Sequence, residues 1–172
     1  MCSTQLQPEK CFFLQKEVTY LGHVISKDGV RPNPKKLEAV EKFPVPATPK
    51  NVKQFLGITS YYRRHIPQFA KIAKPLTSLL KKDQEFIWCE KAQEAFEILK
   101  KKLCEAPILQ YPDFSRECVL TTDASGIALG AVLSQGEIGK DLPVAYASRV
   151  LNDAERKYSV NEKEALAVVW GV

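Results

Sequence analysis

The residues of this 172-residue chain that could do chemistry are first of all its cations. Between Glu41 and Asp83 there is no acidic residue, while nine basic ones occur: Lys42, Lys50, Lys53, Arg63, Arg64, Lys71, Lys74, Lys81 and Lys82. A one-signed stretch of that length attracts polyanions and repels itself when none is bound. A solvated helix face would give the same composition, so the charges alone only point toward nucleic acid. The bias is local: residues 1–105 carry 19 Lys+Arg against 11 Asp+Glu, and residues 106–172 carry 6 against 9. Asp123 opens Asp123-Ala124-Ser125-Gly126, good turn chemistry at the end of a strand. Glu164, with Glu162 close by, falls near the start of a helix, where the helix dipole favours an acid. The five cysteines form no CxxC or Cys/His cluster. Their odd number and spacing argue against a disulfide framework or a zinc site and for reduced, buried thiols.

Composition bounds the class. With 45% apolar and 26% charged residues, this is ordinary globular material, neither disordered nor membrane-embedded. The first residues lack a signal-peptide pattern, and no apolar run approaches the roughly 20 residues that span a bilayer. The expected location is inside the cell, in cytoplasm or nucleus.

Several elements must position these groups. Residues 11–25, rich in Phe, Val, Tyr and Ile, read as a β-hairpin or bent strand, and Asp28-Gly29 as a turn. Asn33-Pro34 is an N-cap followed by a first-turn proline, opening a short helix to about Phe43. Residues 44–49 form a stiff linker whose Thr48-Pro49 opens a second helix, expected over 49–65. Val52, Phe55, Ile58 or Thr59, and Tyr62 recur at helical spacing and should face a core. Lys50, Lys53, Gly57, Tyr61 and Arg64 fall on the opposite side. A third helix is expected over 69–80, where Pro75 kinks or splits it, and a fourth, strongly amphipathic, over 90–104. Short strands then follow at 118–122, 128–134 and 143–148. A last helix begins near Val160; it is apolar almost all round and so expects burial.

These segments resemble one family. Lys10-Cys11-Phe12-Phe13-Leu14, Tyr20-Leu21-Gly22-His23-Val24-Ile25-Ser26 and Gly29-Val30-Arg31-Pro32-Asn33-Pro34-Lys35-Lys36 are similar to the palm end of gypsy-class LTR-retrotransposon reverse transcriptases. Phe55-Leu56-Gly57 with Tyr61-Tyr62-Arg63-Arg64-His65-Ile66-Pro67 resembles the thumb helix. Pro75-Leu76-Thr77-Ser78-Leu79-Leu80, Phe86-Ile87-Trp88 and Ala92-Gln93-Glu94-Ala95-Phe96 resemble the connection that follows. Thr122-Asp123-Ala124-Ser125-Gly126, Leu129-Gly130-Ala131-Val132-Leu133 and Tyr146-Ala147-Ser148-Arg149 resemble the first three strands of the family's ribonuclease H. Glu155-Arg156-Lys157-Tyr158-Ser159 and Glu162-Lys163-Glu164-Ala165-Leu166-Ala167-Val168-Val169 resemble its first helix. Each string is weak alone; the ordered set, covering nearly the whole chain, is specific.

The resemblance implies an α+β fold in three parts: a reverse transcriptase palm end (1–46), thumb and connection helices (47–106), and a truncated ribonuclease H-like domain (107–172), an incomplete half-sheet with one helix. The parent function it implies is RNA-directed DNA synthesis with endonucleolytic cleavage of the RNA in RNA–DNA hybrids, within a Pol polyprotein. Such a nuclease uses two Mg²⁺ ions about 4 Å apart, which takes several convergent carboxylates. The resemblance places catalytic, metal-binding carboxylates at Asp123 and Glu164, with Glu162 a poorer fit to the spacing. The polymerase aspartate pair and the later nuclease aspartates have no counterpart in the chain, so unaided catalysis and a paired Mg²⁺ site are not expected, and whether this chain is itself an enzyme stays open. Duplex contact is expected to survive, with Lys53, Gly57 and Tyr61 along a minor groove and Lys50 and Arg64 extending the basic face. The partners implied are an RNA–DNA hybrid or a DNA duplex and the rest of a Pol polyprotein, with no membrane. The alternative is a retained, non-catalytic module, derived from a retrotransposon, that binds nucleic acid or protein.

Overall fold

A computed structural model describes residues 11–81, 85–137 and 139–172. Cys2, Lys10, Lys82 and Asp83, used above, lie outside them. The chain opens with an antiparallel meander, β1 (Glu17–Tyr20), β2 (His23–Ser26) and β3 (Gly29–Pro32), in the order β1-β2-β3. Val18 pairs with Ile25, and Ile25 with Val30. The hairpin expected from Cys11 starts only at Glu17, because Leu14, at φ 53°, turns the backbone out of the extended region. Gly29 is required where it stands: φ is +127°, and a Cβ there would lie 2.2 Å from the Leu109 carbonyl oxygen. That contact is a bridge, in which the Val30 N–H donates to Leu109 O (2.8 Å) and the Leu109 N–H to Val30 O (2.9 Å).

Four helices make the central layer. In α1 (Pro34–Glu41) the Asn33 side chain accepts from the Lys35 N–H at 2.9 Å, with Pro34 in the first turn. In α2 (Pro49–Tyr61) Thr48 accepts from the Asn51 N–H at 3.2 Å, ahead of Pro49. Val52, Phe55, Thr59 and Tyr62 are buried, and Ile58 is partly buried against the same core; the Thr59 hydroxyl donates to the Phe55 carbonyl at 3.1 Å. The helix expected to reach His65 ends at Tyr61, and Arg63–His65 is a separate 3-10 turn. Pro67 is the cause: it holds Ile66 extended (φ −116°, ψ 109°), which stops a continuous helix upstream. Helix α3 (Phe69–Ser78) contains Pro75 without splitting, and α4 spans Glu90–Cys104 as the spacing predicts. Phe55, Leu76, Phe96, Leu99 and Leu103 share one core with Val40 and Val52, the rings of Phe55 and Phe96 lying 4.6 Å apart. Each such side chain is worth about 1.5–3 kcal/mol when fully buried.

A second antiparallel meander follows: β4 (Val119–Ala124), β5 (Ala128–Gln135) and β6 (Leu142–Val150), in the order β4-β5-β6. Helix α5 (Val160–Gly171) lies on one face of it, where Leu129, Leu151 and Ala167 are buried together. The other face meets α3, whose Ala70 N–H donates to Ser148 Oγ at 2.9 Å. The burial expected for α5 on all sides is not found. One stripe covers the sheet, while Val160, Val168 and Val169 are 74%, 51% and 76% exposed, because no described element packs on that side. The thiols differ from expectation too: Cys89, Cys104 and Cys118 are free but exposed, since the first two flank or end an amphipathic helix on its polar side. The fold is α+β.

Candidate nucleic-acid interface

The spacing 50, 53, 57, 61, 64 places one residue per turn on a single face of α2 and the turn after it. All five residues, Lys50, Lys53, Gly57, Tyr61 and Arg64, are exposed, on the side opposite Val52, Phe55 and Thr59. A Cβ at Gly57 would have no atom within 4 Å, so this glycine does not serve helix–helix packing. Tyr61 is 53% exposed and is not a core residue. Its hydroxyl is engaged, however, donating to the Leu21 carbonyl, while the Tyr62 hydroxyl donates to Gly22 O at 2.8 Å. The β1–β2 turn thus rests on the end of α2. Gly22 (φ +79°) is needed there, since a Cβ would come 3.0 Å from Tyr62 Oη. An open groove of about 610 Å³ runs between turn and helix, lined by Leu21, Lys36, Lys53, Gly57, Ile58 and Tyr61. Sequence reasoning missed Lys36 and the Leu21-Gly22 turn as parts of this surface. The contact spans about 40 positions, and its one local signal was the Tyr61-Tyr62 pair.

Charge on this face is uncompensated. Lys42 pairs with Glu38 at 2.6 Å, but among the described residues Lys50, Lys53, Arg63, Arg64 and Lys71 form no ion pair. Behind them His65 is fully buried, its ring stacked on His23 with centroids 5.6 Å apart. Burial lowers its pKa to about 4; the Pro107 carbonyl opposes that shift, and His23 and Arg64 add to it. The neutral ring therefore adds no charge to the face at neutral pH.

Asp123 and Glu164 are both exposed. Asp123 pairs with Gly130 near the end of β4, and its Oδ2 accepts from Gln68 Nε2 at 3.3 Å. Gln68, in the left-handed region at φ 56°, is a neighbour the sequence did not suggest. Glu164 shares a helical stripe with Ala167 and Gly171. Gly171 lies against Thr122 and Leu120, and Ala167 packs in the cluster with Ala124, so Glu164 falls toward the Asp123 end of β4. Glu162 has another duty: its carboxylate accepts from the Ser159 N–H at 2.7 Å in a capping box, which lowers its pKa. Exposed oxygen donors suit Mg²⁺, but a two-ion site needs several converging carboxylates. Among the described residues no group of three or more His, Cys, Asp or Glu is gathered. These two acids do not by themselves make a two-metal centre, and no reaction step follows from them alone.

Residues 88–172 match the model of an RNase H-like domain found in reverse transcriptase. Over 168 residues the chain is 51% identical to the Retrovirus-related Pol polyprotein from transposon 297 of Drosophila melanogaster, matching 96% of this chain and 15% of that protein. The chain belongs to the reverse transcriptase and RNase H family of retroelement Pol polyproteins. The Transposon Tf2-3 polyprotein of Schizosaccharomyces pombe is 39% identical to this Pol segment over 161 residues, 93% of the segment and 12% of the polyprotein. The segment thus spans less than a fifth of these relatives. Among solved structures it superposes on a foamy viral protease-reverse transcriptase in complex with RNA/DNA hybrid, with a TM-score of 0.80, 26% identity, and 94% and 22% of the two chains covered. The foamy viral protein in complex with dsDNA gives 0.79 at 26% identity, covering 91% and 33%.

Proposed function

We propose that this Pol segment contacts a nucleic-acid duplex for a reverse transcriptase and ribonuclease H, through the exposed face of α2. The reading divides the chain at 46 and 106 into palm end, thumb with connection, and the first part of the ribonuclease H domain. One observation carries it: Lys50, Lys53 and Arg64 stand in a row, unpaired, beside an open backbone at Gly57 and a half-exposed Tyr61 ring. A small residue lets a sugar–phosphate backbone come close, lysine neutralises phosphate, and the tyrosine ring packs on sugars. Such contacts follow groove shape rather than sequence, which suits an enzyme that copies any template. That the solved relatives were captured with RNA/DNA hybrid and dsDNA supports the same partner class here. Asp123 and Glu164 are assigned as nuclease carboxylates that would hold Mg²⁺ once further acids join them. No described helix is long and apolar enough to cross a membrane.

Salt tests this reading. Three phosphate contacts give log K a slope of about −2.7 against log salt, so raising salt from about 50 to 200 mM should weaken duplex binding roughly 40-fold. Lys53→Glu with Arg64→Glu should lower affinity at low salt and flatten the slope to about −1 or less. Unchanged affinity and slope in that double variant would remove α2 as the interface. Two carboxylates, Asp123 and Glu164, are fewer than a two-ion centre takes, so the reading for the segment alone is binding without cleavage. Magnesium-dependent loss of hybrid RNA that Asp123→Asn abolishes would overturn that part.

A further inference from the structure

A second concavity lies on the far side of Arg64. The 3-10 turn Arg63–His65 packs against β6, leaving a crevice of about 350 Å³ lined by Arg63, Arg64, Tyr146, Ser148 and Trp170. That volume is at the small end of the roughly 300–1,000 Å³ typical of ligand sites. Each polar side chain of the lining can donate: two guanidiniums, two hydroxyls and an indole N–H. Neither guanidinium forms an ion pair among the described residues, and the Tyr146 hydroxyl and Trp170 indole N–H have no hydrogen-bond partner there. Burial, and then Asp141, hold the Tyr146 hydroxyl above its ordinary pKa, so it remains a donor. Ser148 Oγ already accepts from the Ala70 N–H, which leaves its proton free to donate. Arg149, which lies over the Trp170 ring at 5.7 Å, is by contrast satisfied by both oxygens of Glu155, at 2.7 and 2.9 Å.

We infer that this crevice binds one unpaired nucleotide of a nucleic-acid strand, its phosphate on Arg63 and Arg64 and its base against Tyr146 and Trp170. The inference rests on the duplex reading above and extends it from α2 across to the outer strand β6. Unfilled donors beside two cations call for a ligand rich in acceptors and negative charge, and half-buried aromatic walls call for a flat one. A nucleotide supplies both features. Bases stacked within a duplex cannot reach aromatic walls, whereas a single strand can splay a base onto them. Arg64 lies at the junction and serves both surfaces.

The test uses the full chain with Trp88→Phe, which leaves Trp170 as its only tryptophan, since the sequence has two. A short oligothymidylate should quench Trp170 fluorescence saturably. The same sequence as a blunt duplex, or inorganic phosphate, should quench it far less. Tyr146→Ala should weaken the oligothymidylate response about tenfold or more, and Arg63→Gln, at an exposed position, should weaken it without altering the circular dichroism spectrum. Lys50→Glu with Lys53→Glu should lower duplex affinity yet leave the Trp170 response in place. No quenching, or quenching that neither Tyr146→Ala nor Arg63→Gln reduces, refutes the nucleotide site even when the duplex result holds. Quenching that persists while α2 variants leave duplex binding unchanged refutes the duplex reading alone.

Discussion

Lowering the pH should loosen this protein through one residue, His65. Its side chain is fully buried at the junction of α2, the β1–β2 turn and the strap at Pro107. Nδ1 lies 3.4 Å from the Pro107 carbonyl oxygen, which can only accept, so Nδ1 carries the proton of the neutral ring. Nε2 is buried with no partner. A proton added there would place a cation beside Arg64 and against the His23 ring, with nothing to receive its hydrogen bond. Burial is the largest cause of the folded pKa of about 4, against an ordinary 6.5. The unfolded chain therefore binds this proton at higher pH than the folded one. Stability is fully present above about 6.5 and declines as the pH falls toward 4, by roughly 3 kcal/mol in all at ~1.4 kcal/mol per pH unit. Urea unfolding at several pH values across that window should show the decline. His65→Phe keeps a flat ring but has no proton to gain. The variant should be less stable than the parent at neutral pH and lose much less on acidification, so that the two curves converge. Parallel curves would mean that His65 does not govern the response.

Two further substitutions separate packing from local structure. Gly29→Ala should cost at least about 2 kcal/mol, since the added Cβ meets the Leu109 carbonyl in a backbone conformation that alanine resists, whereas Gly57→Ala, with open space around it, should be neutral or slightly stabilising; urea midpoints compare the two. Ser159→Ala removes the cap of α5 and should lower stability by about 1 kcal/mol in the same assay, with a loss of helical circular dichroism.

Much of the helical layer was legible because it is written locally. Asn33-Pro34 and Thr48-Pro49 each carry a cap and a first-turn proline in adjacent residues, and both helices begin there. The apolar spacing of residues 90–104 fixed α4 to the residue. What failed depended on distant partners or on a single backbone angle. Leu14 at φ 53° shortens the first hairpin, and nothing in its side chain announces that. Helix α5 is apolar on all sides, but burial needs a covering element, which its own periodicity cannot supply. For the candidate site, the exposed row on α2 followed from helical spacing. The hydroxyl bonds from Tyr61 and Tyr62 to the Leu21-Gly22 turn, the Gln68 amide on Asp123 and the crevice at Trp170 did not. Each joins segments that only the tertiary fold brings together.

The unequal cores have a consequence for how the molecule comes apart. The helices from Val40 to Leu103 share one continuous apolar interior, whereas among the described residues the cluster beneath α5 is small: Leu129, Leu151 and Ala167 are buried, with Ala124, Leu166 and Trp170 partly buried against them. Opening will begin at the C-terminal side, with α5 lifting from its sheet while α2, α3 and α4 hold, so amide deuterium uptake runs ahead there. The face that carries Lys50 and Lys53 then belongs to the last part of the chain to yield, and a protease that has trimmed α5 away would still leave that face folded.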